Sequence, residues 1–297
     1  MTTLVRWNGL IASVVPCFEP DERLLVLARS VTRVGHGIFV DDGTLSRAPT
    51  SILAEVERLA NACVIRLGDN GGVARALNVG VLRAFELGAA YVVTVDQDGG
   101  LGSQDIVTLA AVGERHELRG RQRIVVPGRV NGSAVRGRAL EAGVIEVTDA
   151  LQSGMVLTPS LVRKVGLFDE TLFIDAVDSE FCLRARRCGI QVVGSEEVDM
   201  SHAIGSPTRT YRVGAFCPSA THHPPFRWYY MVRNGIVLWR RYMRREPGWT
   251  VLNIRRLISR AVMMLAVERD RRLKVKYAIR GARDGIFGRM GPGHRPS

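Results

Sequence analysis

The sequence predicts an α/β fold, a mostly parallel sheet flanked by helices, followed by a helical, basic extension. Short runs of β-branched and aromatic residues alternate with helical patterns of about 10–15 residues, which is typical of parallel strands joined by right-handed crossovers. Polar segments follow four of these runs. The last quarter of the chain changes to a basic, amphipathic composition. We therefore expect one α/β domain over residues 1–226 and a helical, basic extension over 227–297.

The first hundred or so residues predict four strands separated by three helices. Pro20 opens the first helix, and Gly88 stops the third one. Strands are predicted at 9–16, 37–40, 62–67 and 90–98, and helices at 20–28, 51–59 and 73–87.

The following residues continue the α/β pattern less regularly. Gly and Arg residues over 131–143 favour a loop, and a glycine inside the strand predicted at 148–157 indicates a close backbone approach. Asp178 is a good N-cap for a helix that Gly189 ends. We expect a mobile loop at 205–221 and a frayed tail at 291–297. The other predicted elements are helices at 103–113, 160–165, 222–245 and 249–267, and strands at 123–128 and 191–193.

The strand predicted at 90–98 ends in two carboxylates, Asp96 and Asp98. If extended geometry continues to Asp98, both side chains project the same way from the carboxyl end of the strand. Open α/β sheets bind ligands at that edge, and two oxygen donors suit Mg²⁺ or Mn²⁺ carrying a phosphate. The alternative is a polar turn after a core strand.

Four polar loops are expected at this same sheet edge, so a nucleotide could lie across it. They span 16–19, 41–44, 69–72 and 96–98. The glycine-rich loop matches neither Gly-x-x-x-x-Gly-Lys-Ser/Thr nor Gly-x-Gly-x-x-Gly, which disfavours a P-loop NTPase or a dinucleotide enzyme.

Composition indicates a folded protein with reduced thiols. Hydrophobic residues make up 46% of the 297 residues, enough to build a core. The five cysteines are odd in number and scattered, which disfavours a disulfide framework or a zinc site. We expect no signal sequence and no membrane span, and hence a cytoplasmic protein.

Positive charge is concentrated at the end of the chain. Residues 227–297 contain 18 Lys and Arg against 4 Asp and Glu, a net charge of +14, which leaves −2 of the chain's +12 for residues 1–226. A near-neutral domain with a basic appendage argues against nucleic acid as a partner. Three arginines within 249–267 favour a helix lying on an anionic membrane surface over a spanning helix, and packing against the catalytic domain or a second subunit is the alternative.

Six motifs in order resemble the family 2 glycosyltransferases of the GT-A fold, and among them the rhamnosyltransferase-like branch. The resemblance covers about residues 9–290. The motifs are Val40-Asp41-Asp42-Gly43; Asn70-x-Gly72 with Ala76-x-Asn78-x-Gly80; Asp96-Gln97-Asp98; Phe173-Ile174-Asp175-x-x-Asp178-x-Glu180 with Leu183-Arg184; His202; and Arg227-Trp228-Tyr229-Tyr230-x-x-Arg233-Asn234.

The resemblance implies an inverting transferase that binds a nucleotide-diphosphate sugar over about residues 9–98. Asp41 or Asp42 would accept hydrogen bonds from the base or ribose, and a turn beginning with Asp is the structural alternative for the pair. Asp42 stands where many relatives have Asn. The other residues implied for the donor site are Pro16, Asn70, Gly72, Asp96, Arg227 and Arg233.

The resemblance also implies a divalent metal, Mg²⁺ or Mn²⁺. Asp98 would be its direct ligand and His202 would complete the site, while a lone histidine after a strand is otherwise structural. The metal would neutralise the departing diphosphate.

Asp178 is the implied general base, and it would take the proton of the attacking acceptor hydroxyl. Asp175 and Glu180 are alternates, and a plain N-cap is the structural alternative for Asp178. The acceptor half would span about residues 99–226, with Gln152, Ser153, Gly154, Asp175 and Glu180 as acceptor-binding residues.

The resulting hypothesis is transfer of L-rhamnose from dTDP-rhamnose to a cell-envelope glycan or a lipid-linked acceptor, at the inner face of the cell membrane. A homo-oligomer is possible. Three alternatives remain: another NDP-hexose or galactofuranose donor, a sugar-phosphate nucleotidyltransferase, or a non-catalytic, membrane-associated nucleotide-binding module. The nucleotidyltransferase is disfavoured because residues 16–19 lack a basic, glycine-rich loop after the first strand.

Overall fold

The structure is a computed structural model, which describes residues 10–202, 208–210 and 219–293. The chain divides into two compact units. The first comprises the chain to Glu170 together with Asp178–His202, and the second comprises Thr171–Val177 and the residues after His202. The compact units thus differ from the expected domains at 171–177 and after residue 202.

The first half of the sheet is parallel, as predicted. Its strands lie in the order β3-β2-β1-β4, and helices connect them along the chain. The strands are β1 (Ile11–Cys17), β2 (His36–Asp41), β3 (Ala62–Arg66) and β4 (Tyr91–Thr94), and the helices are α1 (Arg23–Val31), α2 (Arg47–Glu57) and α3 (Val73–Glu86).

The second half of the sheet is mixed, which corrects the expectation of a mostly parallel sheet there. After β4 the order continues as β10-β6-β11-β9-β8; only β6 and β11 are parallel neighbours, while β5 pairs with β11 and β7 pairs with β6. These strands are β5 (Gly99–Gly100), β6 (Arg123–Val130), β7 (Ser133–Ala134), β8 (Gly137–Glu141), β9 (Val144–Val147), β10 (Met155–Leu157) and β11 (Gln191–His202).

Three helices complete the first unit: α4 (Ser103–Leu118), α5 (Pro159–Val165) and α6 (Val177–Arg187). The first residue of α6, Val177, is assigned to the second unit, and the rest of α6 belongs to the first. A 3₁₀ turn at Glu170–Leu172 precedes α6. The helix α6 begins at Val177, so Asp178 lies in its first turn rather than at the N-cap position.

Close packing of α3 against the parallel strands depends on Gly80. A Cβ atom at this position would lie 2.3 Å from Cγ1 of Val14, closer than any ordinary contact. Two helical positions earlier, the buried Asn78 amide donates to the carbonyl of Phe168 at 3.0 Å and accepts from its N–H at 2.9 Å. In the Ala-x-Asn-x-Gly pattern, the glycine therefore lets α3 pack closely on the sheet, and the asparagine holds a distant loop in place.

The second unit contains the helices α7 (Pro225–Tyr242), α8 (Pro247–Val267) and α9 (Arg271–Phe287), and a pair of short antiparallel strands, β12 (Thr208–Thr210) and β13 (Ser219–Thr221). The rest of the loop predicted at 205–221, and residues 294–297 of the predicted tail, lie outside the described residues. Within the described ranges, no helix is long and apolar enough to cross a membrane.

Cysteines in the described ranges are free thiols, as the sequence predicts: Cys17, Cys63, Cys182 and Cys188. Complete burial raises the pKa of Cys17 well above its ordinary value, with Asp41 adding to the shift. Such a thiol is inert, so Cys17 has a packing role in the strand β1.

Candidate active site

The carboxyl ends of β1, β2 and β4 meet at one edge of the sheet, as predicted from their parallel order. Cys17 lies beside Asp41, and Val14 lies beside Thr94. The side chain of Gln97 ties two of the following loops together, because it accepts from the N–H of Phe18 at 2.8 Å and donates to the carbonyl of Phe18 at 3.1 Å. No role is predicted for Gln97 from the sequence, although its position between Asp96 and Asp98 is a usable signal.

Pro16 lies inside β1 rather than ending it. Along β1, the carbonyl of Val14 accepts from Val95, the residue that follows β4, and the carbonyl of Cys17 accepts from Asp42 on the other side. The backbone nitrogen and carbonyl of Pro16 therefore point toward the β4 side, at a level where β4 has already ended at Thr94. The missing N–H of proline costs no ladder hydrogen bond at this position.

The two carboxylates after β4 sit in a turn, which corrects the expectation of a continuing strand. The strand ends at Thr94, and the N–H of Gly99 donates to the carbonyl of Asp96 at 2.8 Å. The alternation rule therefore does not set the directions of the side chains of Asp96 and Asp98.

Asp96 and Asp98 have different surroundings. The carboxylate of Asp96 accepts from the side-chain amide of Gln152, and the Asp96 N–H donates to the Ser153 hydroxyl at 3.1 Å. Asp98 is 21% exposed, and its nearest cation is Arg23 at 4.0 Å, a long and solvated pair. Asp96 is thus held by the protein, whereas Asp98 is accessible to a ligand.

Gly154 is required by the fold, whatever it binds. Its φ is +84°, and a Cβ atom there would lie 2.5 Å from Pro127. Its N–H donates to the carbonyl of Thr94 at 2.6 Å. Residues 152–154 therefore support the Asp96 turn, a contact between distant parts of the chain that the sequence does not signal, and their acceptor-binding roles stay predictions.

The backbone brings His202 beside the Asp96–Asp98 turn. In the short antiparallel pairing of β5 and β11, His202 lies opposite Gly99, the residue that follows Asp98. A carboxylate oxygen and an imidazole nitrogen form a donor set that suits Mn²⁺. Among the side chains that the structure describes, which do not include that of His202, no group of three acidic, histidine or cysteine residues could hold a metal.

Asp41 and Asp42 both form hydrogen bonds to loop backbone. The Asp42 carboxylate accepts from the N–H groups of Gly71 and Gly72, each at 2.8 Å, and Asp41 accepts from the N–H of Thr44 at 2.9 Å. Burial raises the pKa of Asp42, and the two glycine N–H groups oppose the shift. These contacts favour a loop-shaping role for Asp42.

Asn70 lies in the loop that Asp42 shapes, and its Oδ1 atom is buried without a hydrogen-bond partner among the described residues. A buried acceptor is costly unless a donor reaches it. This amide is therefore suited to receive a donor group from a bound ligand.

Asp178 and Glu180 both lie in the first turn of α6. Asp178 is half-buried and accepts from the N–H of Ser179 at 2.8 Å. Glu180 is 1% exposed and pairs with Arg184 at 2.9 Å, and that guanidinium also donates to two backbone carbonyls, those of Val165 and Leu167. Glu180 therefore has a structural role in these contacts, and the role of Asp178 as the base stays a prediction.

In the second unit, the predicted site residues lie against one another. The guanidinium of Arg227 donates to both carboxylate oxygens of Asp175, at 2.5 and 3.2 Å. Arg233 is fully buried, and it donates to backbone carbonyls of the same unit. This burial favours a structural role for Arg233 over the predicted contact with a diphosphate.

Comparison with protein-family models found no match to the chain. A search of characterised proteins found the dTDP-rhamnosyl transferase RfbF of Shigella flexneri, 26% identical over 303 residues, which cover 96% of this chain and 98% of that protein.

Solved structures share the fold. The mannosyltransferase PcManGT of Pyrobaculum calidifontis, in complex with GDP-Man and Mn²⁺, aligns with a TM-score of 0.56 at 12% identity over 96% of this chain and 93% of its own. GalNAc-T7 with UDP, GalNAc and Mn²⁺ aligns with a TM-score of 0.54 at 14% identity over 69% of this chain. The chain spans less than half the length of two of the solved structures, 43% of GalNAc-T7 and 43% of S. aureus TarS. RfbF is thus similar along nearly the whole chain, and the solved structures show that the chain has the fold of the GT-A glycosyltransferases.

Proposed function

We propose that the chain transfers a sugar, with inversion, from a nucleotide-diphosphate donor to a hydroxyl group of a cell-envelope glycan or a lipid-linked acceptor. L-Rhamnose from dTDP-rhamnose is the first donor to test, because the rhamnosyl transferase RfbF matches 96% of the chain. At 26% identity, another NDP-hexose or a galactofuranose donor remains an open outcome of that test.

The observation that supports this proposal best is the pairing of Gly99 with His202 beside the Asp96–Asp98 turn. It brings two predicted metal ligands, distant in sequence, to the sheet edge where the β1 and β2 loops also lie. A donor's nucleotide would lie over those loops, within reach of Asn70.

The donor set fits a divalent cation. Asp98 offers an accessible carboxylate, and His202 adjoins it through the backbone. These two residues would hold Mn²⁺ or Mg²⁺, and the ion would neutralise charge on the diphosphate. The solved neighbours PcManGT and GalNAc-T7 contain Mn²⁺.

In the proposed reaction, Asp178 accepts the proton of the acceptor hydroxyl. The acceptor oxygen attacks the anomeric carbon, the bond from that carbon to the diphosphate oxygen breaks, and the nucleoside diphosphate leaves with the electron pair. Asp96 is held by Gln152 and would support the ribose or the water shell of the ion.

The test is a panel of nucleotide sugars incubated with the purified chain and Mn²⁺ or Mg²⁺, followed by assay of the released nucleotide. Release of nucleoside diphosphate with metal dependence supports a transferase, and a preference for dTDP-rhamnose supports the donor. Release of pyrophosphate from a nucleoside triphosphate and a sugar phosphate, supplied in place of the nucleotide sugar, would show a nucleotidyltransferase instead. Binding of nucleotide without turnover of any donor and acceptor would favour a non-catalytic module.

We also propose that the chain lies on anionic lipid at the inner face of the cell membrane. One exposed stripe of α9 combines three basic and three apolar residues, most of them spaced three or four apart, a pattern suited to an anionic lipid surface. The stripe comprises Arg272, Lys276, Ile279, Arg283, Ile286 and Phe287.

A lipid surface is a better occupant of this stripe than a second copy of the chain. A two-fold dimer through the stripe would bring its arginines and lysine against their own copies. Residues 227–297 carry a net charge of +14, so such an interface would be strongly repulsive. Anionic headgroups would instead neutralise the same charges while Ile279 and Phe287, 64% and 70% exposed, become buried.

A further inference from the structure

A loop in the second unit adopts an unusual backbone conformation. Phe173, Asp175 and Ala176 have φ values of +67°, +63° and +62°, although none of them is glycine. Left-handed residues with a Cβ atom persist only where the surroundings hold them. The loop carries Asp175, and Asp178 follows it by two residues in the sequence.

The side chains of Arg233 and Asn234 on α7 bind the carbonyl groups of this loop. The Asn234 amide donates to the carbonyls of Leu172, Ile174 and Asp175 at 2.8–3.0 Å. Arg233 donates to the carbonyl of Leu172 at 2.9 Å as well. The backbone supplies one donor here, from the N–H of Ile174 to the carbonyl of Leu172 at 2.8 Å, and the two side chains supply the other donors that these carbonyls need.

Arg233 also fixes which way the Asn234 amide points. Its Nε atom donates to Oδ1 of Asn234 at 2.9 Å, so the two N–H groups of that amide must face the loop. The guanidinium lies 4.8 Å from the centre of the Tyr230 ring, and that ring stacks on Phe173 at 4.9 Å. Both residues of the Arg-Asn pair are 0% exposed.

We propose that Arg233 and Asn234 are positioning residues, which hold the 173–176 loop in its left-handed conformation and thereby present Asp175, with its partner Arg227, for use by the enzyme. The consequence for catalysis rests on the function proposed above. The pair acts through the loop and contacts no substrate, which replaces the diphosphate contact that the sequence suggests for Arg233.

The decisive variant is Asn234→Asp. The new side chain has the same shape and keeps the oxygen that accepts from Arg233, but it loses both N–H groups that reach the loop. We expect backbone amides of residues 173–177 to exchange hydrogen at least about 10-fold faster than in the wild type. We also expect kcat to fall about 10- to 100-fold while the dissociation constant of the donor nucleotide changes less than about 2-fold.

A second substitution tests the left-handed backbone itself. Adding Ala176→Gly to Asn234→Asp removes the Cβ atom that opposes a positive φ. We expect it to recover a measurable part of the lost exchange protection and of kcat. Asn253→Asp is the matched control. The new aspartate keeps the oxygen that accepts from Trp239, and residue 253 lies outside the loop.

Unchanged amide exchange in Asn234→Asp would overturn the proposal. Arg233→Lys provides a second readout that does not depend on Asn234. Weaker donor binding with unchanged kcat and exchange in that variant would show a diphosphate contact and reject the positioning role. If the wild type transfers no sugar, the proposed function fails, while the exchange measurements still decide whether the pair holds the loop.

Discussion

Asp96 and Asp98 lie one residue apart, but Asp96 is held by the side-chain amide of Gln152, whereas Asp98 is 21% exposed and forms a long pair with Arg23 at 4.0 Å. Asp98→Asn should therefore lower metal-dependent release of nucleoside diphosphate by about 100-fold or more, since an amide is a weak ligand for Mn²⁺. Asp96→Asn keeps an oxygen for Gln152 and should cost less. Titrating Mn²⁺ against the initial rate measures both effects.

Glu86→Gln is the control for that pair, because Glu86 is an exposed carboxylate on α3 that pairs with Arg83 at 3.1 Å. Equal metal dependence in Asp98→Asn and the wild type would show that Asp98 is not a ligand.

The free energy of unfolding should depend on pH through the protonation of His116. Burial, and then Arg123 at 3.2 Å, lower the pKa of His116 to about 4 from 6.5. The unfolded chain therefore binds more protons than the folded chain between these values, and stability falls as the pH drops from 6.5 toward 4. When the pH falls from 7.5 to 5, we expect the protonation of His116 to lower the free energy of unfolding by about 2 kcal/mol.

Urea unfolding of the wild type and His116→Gln at both pH values isolates that loss, since the glutamine has no titrating proton. The fall in unfolding free energy should be about 2 kcal/mol smaller in the variant. Equal pH dependence in the two proteins would mean that His116 is protonated in the folded state.

Individual site residues could be predicted only where their signal is local. Asp96 and Asp98 are visible in the sequence because a buried strand ends just before them. Their partners Gln152 and Ser153 lie more than fifty residues away, so no local pattern shows these contacts. The binding of Asp42 to Gly71 and Gly72 is hidden for the same reason, although both segments were expected at the sheet edge.

At the scale of elements, the packing of α9 on α7 depends on Gly281. A Cβ atom at Gly281 would lie 2.2 Å from the backbone oxygen of Tyr229, and backbone cannot move aside as a flexible side chain can. Gly281→Ala should destabilise the second unit by about 1–3 kcal/mol, as overpacking does.

Gly248→Ala is the matched control, since open space surrounds Gly248 at the start of α8. That substitution should be neutral or stabilise the helix by up to about 1 kcal/mol. Thermal unfolding of the full chain measures both variants. A neutral Gly281→Ala would show that the two helices can separate without cost.

Elements with strong local periodicity could be predicted, and those that depend on pairing could not. The helices α1 and α3 follow clear apolar stripes, and both lie close to their predicted ranges. The strand β8 (Gly137–Glu141) contains exposed and half-buried residues, so its sequence resembles a loop; it is a strand because β9 pairs with it. The strand predicted at 148–157 shortens to β10 because residues 152–154 turn to hold Asp96.

For the whole molecule, the division of charge could be predicted from the sequence alone, because net charge does not depend on the fold. The structure adds where the basic residues of α9 lie, on an exposed face that also carries Ile279, Ile286 and Phe287. Electrostatic attraction to anionic headgroups is worth about 1 kcal/mol for each Lys or Arg near the surface. Buried apolar side chains add to this attraction.

The full chain should therefore bind vesicles that contain phosphatidylglycerol and not vesicles of phosphatidylcholine alone. Changing Lys276 and Arg283 together to Gln should weaken binding by about 2 kcal/mol, or about 30-fold, and added salt should weaken the wild type in the same direction. Phe287→Ser should weaken binding by removing an exposed ring. Cosedimentation with vesicles measures each affinity.

Leu118→Ser is the control, because Leu118 is 80% exposed at the end of α4 in the other compact unit and carries no part of the stripe. If this variant loses vesicle binding as Phe287→Ser does, the contact is not through α9. If Phe287→Ser instead converts a dimer to a monomer in solution and leaves vesicle binding intact, the stripe is an interface between copies. The salt response separates these cases further, because screening weakens attraction to lipid but relieves repulsion between two basic faces, so it should strengthen a dimer through the stripe.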